Sequence, residues 1–536
     1  MASRRQPLIP GWLWPGASAA LLMVAVALAA FSALWFNAPS FSGAGFWQDS
    51  YLWHVIRFSF WQALLSALLS VIPAIPLARA LYRRRFPGRQ SLLRLCAMTL
   101  ILPVLVAVFG LLSVYGRTGW LAALWHALGL EWTFSPYGLQ GILLAHVFFN
   151  MPMATRLLLQ TLEQIPGEQR QIAAQLNMRG WYFFRLVEWP WIRRQLPSIA
   201  ALIFMLCFAS FATVLSLGGG PQATTIELAI YQALSFDYDP GRAALLALIQ
   251  MTCCLGLVLL SQRLGKAIAP GVNQIPGWRD PHDSWRSRLT DSVLIILALM
   301  LLLPPLLAVI VDGLKGDIVR VLSQPVLWDA LWTSLRIALG AGLLCVTLTM
   351  MLLWSGRELH LRQRRIAAQS LELSGMLILA MPGIVLATGF FLLLNNTLGL
   401  PDSADGIVMF TNALMAVPYA QKVLDNPMRD IALRYGPLCQ SLDIQGINRL
   451  KLIELRALKK PIAQAMAFAS VLSIGDFGVV ALFGNDNFRT LPYYLYQQIG
   501  AYRGDDGAVT SLLLLLLCFA LFTVIEKLAG RHANAH

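Results

Sequence analysis

Apolar residues in this chain come in blocks of bilayer length separated by short polar stretches. The first runs from Trp12 to Phe36 behind Arg4 and Arg5, and others follow at roughly 57–80, 92–115, 138–160, 199–217 and 243–262. After a polar interval they resume at roughly 290–312, 331–354, 373–395, 406–424, 462–483 and 508–526. A helix needs about 20 apolar residues to cross the hydrocarbon core. The pattern therefore predicts an all-α polytopic membrane protein with twelve transmembrane helices. The Ala27–Ala29 triplet has the look of a leader-cleavage site, but the run around it is too long for a leader core and reads as a span.

Charge orients these spans. Arg79, Arg83, Arg84, Arg85, Arg89 and Arg94 follow the second span with no acid among them, whereas the next loop holds only Arg117 and Glu131. Basic residues gather again after spans four and ten, and the intervening loops carry Asp237, Asp239, Asp402, Asp405, Asp505 and Asp506. By the positive-inside rule both termini and both basic loops are expected in the cytoplasm. The same sorting accounts for the net charge of +14, so no nucleic-acid partner is inferred. With 57% hydrophobic and 13% charged residues and a mean hydropathy of +0.63, a soluble globule is excluded.

The chain also repeats itself. Pro152, Asn177, Gly180 and Phe211 map by one offset of 266 residues onto Pro418, Asp443, Gly446 and Phe477. With small changes of offset, ILPVLVAVFG (Ile101–Gly110) meets AMPGIVLATG (Ala380–Gly389), and TIELAIYQ from Thr225 meets TLPYYLYQ from Thr490. Equal orientation makes these parallel repeats, with a pathway expected between them. The expected organisation is a cytoplasmic end, first span and outer loop over 1–55, repeat one over 56–261, and a linker with the seventh span over 262–330. Repeat two covers 331–525 and a cytoplasmic tail 526–536.

Each repeat carries a long basic loop, QIAAQLNMRGWYFFRLVEWP (Gln171–Pro190) and PLCQSLDIQGINRLKLIELR (Pro437–Arg456). Both read as helix, break, helix, because Asn and Asp tolerate the left-handed conformation that ends a helix and a Gly follows three residues on. A hinged helical knob between spans is a docking device. No phosphate-binding loop, nucleophile elbow, metal-binding helix motif or cysteine framework appears, so no catalytic residue and no metal site are predicted. Of the polar residues inside spans, Asp476 is the most informative. A mid-helix carboxylate faces a cavity or partner, or else it caps locally near the outer surface. His146, Asn150, Gln250 and Asn412 read as interhelical hydrogen-bond partners.

The two loops resemble the EAA loop of binding-protein-dependent ABC importer permeases, although Gln171 stands for the usual Glu, Asn177 for the Gly, and the second copy has neither Ala. Leu215–Gly220 and the SIGDFG segment Ser473–Gly478 are similar to the paired motifs of fused two-repeat permeases in the iron, polyamine and thiamine branch, and the full-length resemblance is to its thiamine members. The resemblance implies the type I importer fold in a bacterial inner membrane. It implies two copies of a cytoplasmic ATPase, which alone uses ATP and Mg, and a periplasmic thiamine-binding protein delivering thiamine and its phosphates. It places ATPase coupling at Gln171, Ala173, Ala174, Asn177 and Gly180, and at Leu442, Asp443 and Gly446. Ser210, Phe211, Asp476 and Phe477 become candidates for the pathway or gate. The alternatives are a permease for ferric iron or polyamine, or a secondary transporter, which would need more ionisable groups at the midplane.

Overall fold

The computed structural model describes residues 11–38, 48–99, 101–264, 283–395, 404–442, 444, 446–485 and 487–530. Most of the predicted linker before Asp283, both chain ends and Asp443 lie outside them. The first half contains α1 (Trp14–Asn37), α2 (Ser50–Arg83), α3 (Val104–Tyr115), α4 (Leu139–Glu163), α5 (Gly167–Gln175), α6 (Trp189–Phe208), α7 (Phe211–Leu217), α8 (Ile226–Ser235) and α9 (Pro240–Leu264). The second contains α10 (Trp285–Lys315), α11 (Pro325–Leu361), α12 (Gly383–Asn395), α13 (Ala404–Ser441), α14 (Lys459–Gly475), α15 (Gly478–Phe483), α16 (Leu491–Gly500) and α17 (Gly504–Gly530).

Ten helical stretches among the described residues are long and apolar enough to span a bilayer. The two other expected spans are broken. The run at 373–395 stops in a tight turn at Leu377–Ala380 and resumes as α12 after Pro382. Proline lacks an N–H and disfavours helix in the residue before it, and Pro103 divides the third span at the corresponding place. The run at 462–483 is divided into α14 and α15 at Asp476 and Phe477, as α6 and α7 are divided at Ala209 and Ser210. Of the two readings of Asp476, the mid-helix one does not hold: the residue terminates α14 in an extended conformation, at a helix end as the capping reading has it.

The halves repeat each other's interactions. Ser59 Oγ accepts the Ile226 N–H at 2.9 Å and holds the start of α8, and Ser334 Oγ accepts the Leu491 N–H at 2.7 Å at the start of α16. Each first helix crosses to the other half: α1 packs on α11 and α12, and α10 packs on α3 and α2 while also resting on α17 of its own half. The crossings need the paired glycines. A Cβ at Gly389 would stand 2.8 Å from Ala30 Cβ, and one at Gly110 would collide with the Pro305 carbonyl.

Candidate functional site

The breaks in spans five and eleven bring two phenylalanines together between the halves. Phe211, first residue of α7, and Phe477, just before α15, stack with ring centroids 6.0 Å apart and planes 17° from parallel. Tyr231 meets Phe211 edge-on at 5.3 Å, and Tyr496 lies 5.0 Å from Phe477. Both phenylalanines border a cavity of about 450 Å³ whose walls come from both halves. Ser210 and Asp476 line it too, so the four pathway candidates surround one space.

Its polar groups follow the repeat. His146 bridges Ser66 Oγ at 2.8 Å and Ser210 Oγ at 2.9 Å. At the equivalent place in the second half, Asn412 Nδ2 donates to Ser473 Oγ at 3.0 Å. Asp476, which replaces Ser210 in the repeat, turns its carboxyl toward the Asn412 amide and the backbone N–H groups of Gly478, Val479 and Val480. Its Oδ2 nevertheless has no hydrogen-bond partner among the described residues. Glu227, buried in the first turn of α8, is bonded to Gln250 Nε2 at 3.3 Å. Glu227 and Asp476 are the two acidic residues of the lining, which contains no Lys or Arg. Sequence reasoning passed over Glu227 because a lone acid in an outer-loop segment looks like many others.

The knobs form a second constellation. In α5, Gln171 is exposed, Ala174 is half-buried and Ala173 is packed inward. Asn177 takes φ 53° and closes the helix, with the Met178 N–H bonded to the Ala173 carbonyl at 3.0 Å. This is the Schellman arrangement, and Asn tolerates its left-handed residue. Gly180, also at φ 53°, opens the next helix, and the chain then passes through a π-helical turn, Phe184–Glu188, into α6. Four large apolar side chains, Ile172, Leu176, Trp181 and Tyr182, are exposed on the knob among polar neighbours.

The second knob repeats the plan. The Ile444 N–H bonds to the Cys439 carbonyl at 2.9 Å, Leu442 is exposed, Gly446 begins Gly446–Arg449, and a π turn follows at Leu450–Glu454. Each π turn ends in a buried glutamate held by an arginine from the long helix beside it, Arg79 to Glu188 and Arg357 to Glu454. Arg170 adds an anchor to the first knob, lying 4.2 Å over the Tyr82 ring and donating to the Leu162 carbonyl at 2.7 Å. These anchors were missed, although Glu188 and Glu454 share the 266-residue offset and a fuller self-comparison would have found them.

No protein-family model matches the chain. Among known proteins it is similar over its full length to the thiamine transport system permease proteins ThiP of Escherichia coli (79% identical over 534 residues) and Salmonella typhimurium (78% over 534 residues), with 100% of each chain covered. A more distant likeness, 26% over 208 residues, covers 38% of this chain and 74% of the sulfate transport system permease protein CysW of Synechocystis.

Proposed function

The chain belongs to the thiamine transport system permease family and is the multi-pass permease subunit of an ABC importer for thiamine; from this premise we propose how it works and with what. Its knobs dock two copies of a separate ATPase subunit on the cytoplasmic side of a bacterial inner membrane, where both chain termini also lie. A periplasmic thiamine-binding protein delivers the solute, thiamine or its phosphates, to the opposite face. ATP is bound and hydrolysed by the partner, and this chain performs no chemistry.

The observation that carries the proposal is the pair of knobs: a helix-closing hydrogen bond five residues back, a short helix and a π turn recur at the same offset, each fastened by an arginine on a buried glutamate. Such a fastening passes a push on the knob to α2 or α11 instead of absorbing it in a loose loop. ATP-driven closure of the two ATPase subunits would tilt the halves and part the Phe211–Phe477 stack, and hydrolysis would restore it. Solute moves only because its carrier and ATP each bind one of the two states better than the other, since a partner with equal affinity for both shifts nothing.

The test is co-purification of the detergent-solubilised permease with its ATPase, followed by ATP hydrolysis in vesicles with and without thiamine-loaded binding protein. Stimulation by the loaded carrier is expected. A permease that binds no ATPase refutes the role of the knobs, and one that binds it without responding to the loaded carrier refutes the delivery step.

A further inference from the structure

We propose that the cavity beneath the Phe211–Phe477 stack is a binding site in the permease itself for a heteroaromatic cation, the thiazolium part of thiamine, with Asp476 as its principal counter-group. The inference rests on the importer reading above and adds a solute site within the membrane to what that reading needs, which is only a passage.

Three features converge. First, at about 450 Å³ the cavity falls within the 300–1,000 Å³ range of small-molecule sites and has their make-up, mostly apolar walls with a few polar groups that converge. Second, its carboxyls have no cationic partner: Glu227 and Asp476 line it without a Lys or Arg, and the imidazole of His146 on the same lining is bonded to Ser66 and Ser210. A carboxyl inside a membrane protein that pairs with no basic side chain is costly unless something else meets it. Third, the two acids differ in what remains unmet. Glu227 is bonded to Gln250, whereas Asp476, itself on the lining, has spent one side of its carboxyl on the start of α15 and keeps a buried Oδ2 without a partner among the described residues. The repeat places a neutral Ser210 at the equivalent break, so the second half alone puts a carboxyl there.

The walls suit the rest of such a solute. Phe149, Phe211, Tyr419 and Phe477 present ring surface to the space, and aromatic faces attract a delocalised cation as well as stacking on it. Asn150, on the same lining, donates among the described residues only to the soft Cys207 sulfur at 3.2 Å and is placed to serve a polar ring substituent. The site is argued to be weak, because a conduit must release what it binds.

The experiment measures saturable binding of radiolabelled thiamine to the purified permease in nanodiscs, without ATPase or carrier protein. The competitors are unlabelled thiamine and its neutral thiazole fragment, 4-methyl-5-(2-hydroxyethyl)thiazole, and the variants are Asp476→Asn and Glu227→Gln. Wild-type protein is expected to bind thiamine and to ignore the neutral thiazole. Asp476→Asn should weaken binding by about tenfold or more, the loss that accompanies removal of a charged partner, and Glu227→Gln by less. No saturable binding to wild type, or equal competition by the neutral thiazole, overturns the inference without using any variant. Unchanged affinity in an Asp476→Asn protein that still captures the ATPase overturns the role of Asp476. Carrier-stimulated ATP hydrolysis in the same preparation separates the readings: if it persists while binding fails, the cation site alone is wrong.

Discussion

Glu454 accepts a hydrogen bond from Arg357 Nη1 at 2.6 Å, and the pair is sealed inside the protein at 0% and 3% side-chain exposure. Its counterpart, Glu188 with Arg79 at 2.6 Å, leaves the arginine 18% exposed. Breaking a buried pair strands a charge and costs about 3–5 kcal/mol, while an arginine that reaches water recovers part of the loss by hydration. Glu454→Gln should therefore lower the melting temperature in detergent clearly more than Glu188→Gln. Equal shifts would mean that the second knob is not the more tightly fastened.

Asn177 supplies a sharper test of the first knob. At φ 53° its backbone is in the region that penalises a β-branched residue and suits glycine. Asn177→Gly should leave recovery of the ATPase complex within a few tenths of a kcal/mol of wild type, comparable to the small effect of glycine at caps. Asn177→Val should cost about 1–2 kcal/mol locally and reduce that recovery while membrane insertion is unaffected. Pull-down yields at matched expression decide between the two outcomes.

How far these features were legible follows from which physical signal each leaves. The helix stops at Asn177 and after Leu442 could be read because they depend on local backbone preference, and the repeat printed them twice. Pro103 and Pro382 mark where these spans break, but the length of an apolar run carries no information about a missing N–H. For a related reason the sequence left Asp476 between a mid-helix carboxylate and a local cap, and the structure puts it at the end of α14. Hydropathy registers that a segment is apolar, not that its hydrogen-bond ladder ends at Gly475. The repeat led to an expected pathway between the halves, but neither the size of the cavity nor the swap of α1 and α10 could be inferred, because both depend on contacts between residues hundreds of positions apart, such as Gly389 with Ala30.

The Phe211–Phe477 stack predicts a leak. Phe477 is 2% exposed and touches Phe211, Tyr493 and Tyr496, so Phe477→Ala removes a large buried ring at the narrow contact between halves. It should cost about 3–5 kcal/mol of stability and allow thiamine to cross proteoliposomes without ATP. Phe477→Leu, which keeps most of the volume, should leak less. Loaded-liposome efflux measured without nucleotide separates these cases.

At the start of α10 the fold has a titratable clasp. Asp283 is bonded to Arg84 Nη1 at 2.5 Å and Nη2 at 2.8 Å and to Arg288 Nε at 3.0 Å, and the Arg84 hydrogen bond above all holds its pKa down to about 2. An unfolded aspartate titrates at about 3.9. Because the folded value is the lower one, the contribution is complete above about pH 4 and is lost as the pH falls through about 2. Hydrogen-exchange protection at the start of α10 should therefore be flat from pH 5 to 8 after correction for intrinsic rates. Asp283→Asn should lower it across that whole range.

Two glycines in similar helices give substitutions of opposite sign. In α12, a Cβ at Gly389 would meet Ala30 Cβ at 2.8 Å, Ala30 Cα at 2.9 Å and the Ala30 carbonyl at 3.0 Å. Two of these atoms are backbone and cannot turn aside, so α1 must move as a body. Gly389→Ala should cost about 1–3 kcal/mol, the range for overpacking. In α9, Gly256 has nothing within 4 Å of where a Cβ would stand. There the same change adds no clash and gains about 0.5–1 kcal/mol from the better helix former. Melting curves of both variants in one detergent provide the comparison, and a Gly389→Ala protein as stable as Gly256→Ala would mean that α1 does not rest on α12 as tightly as the crossing of the two halves requires.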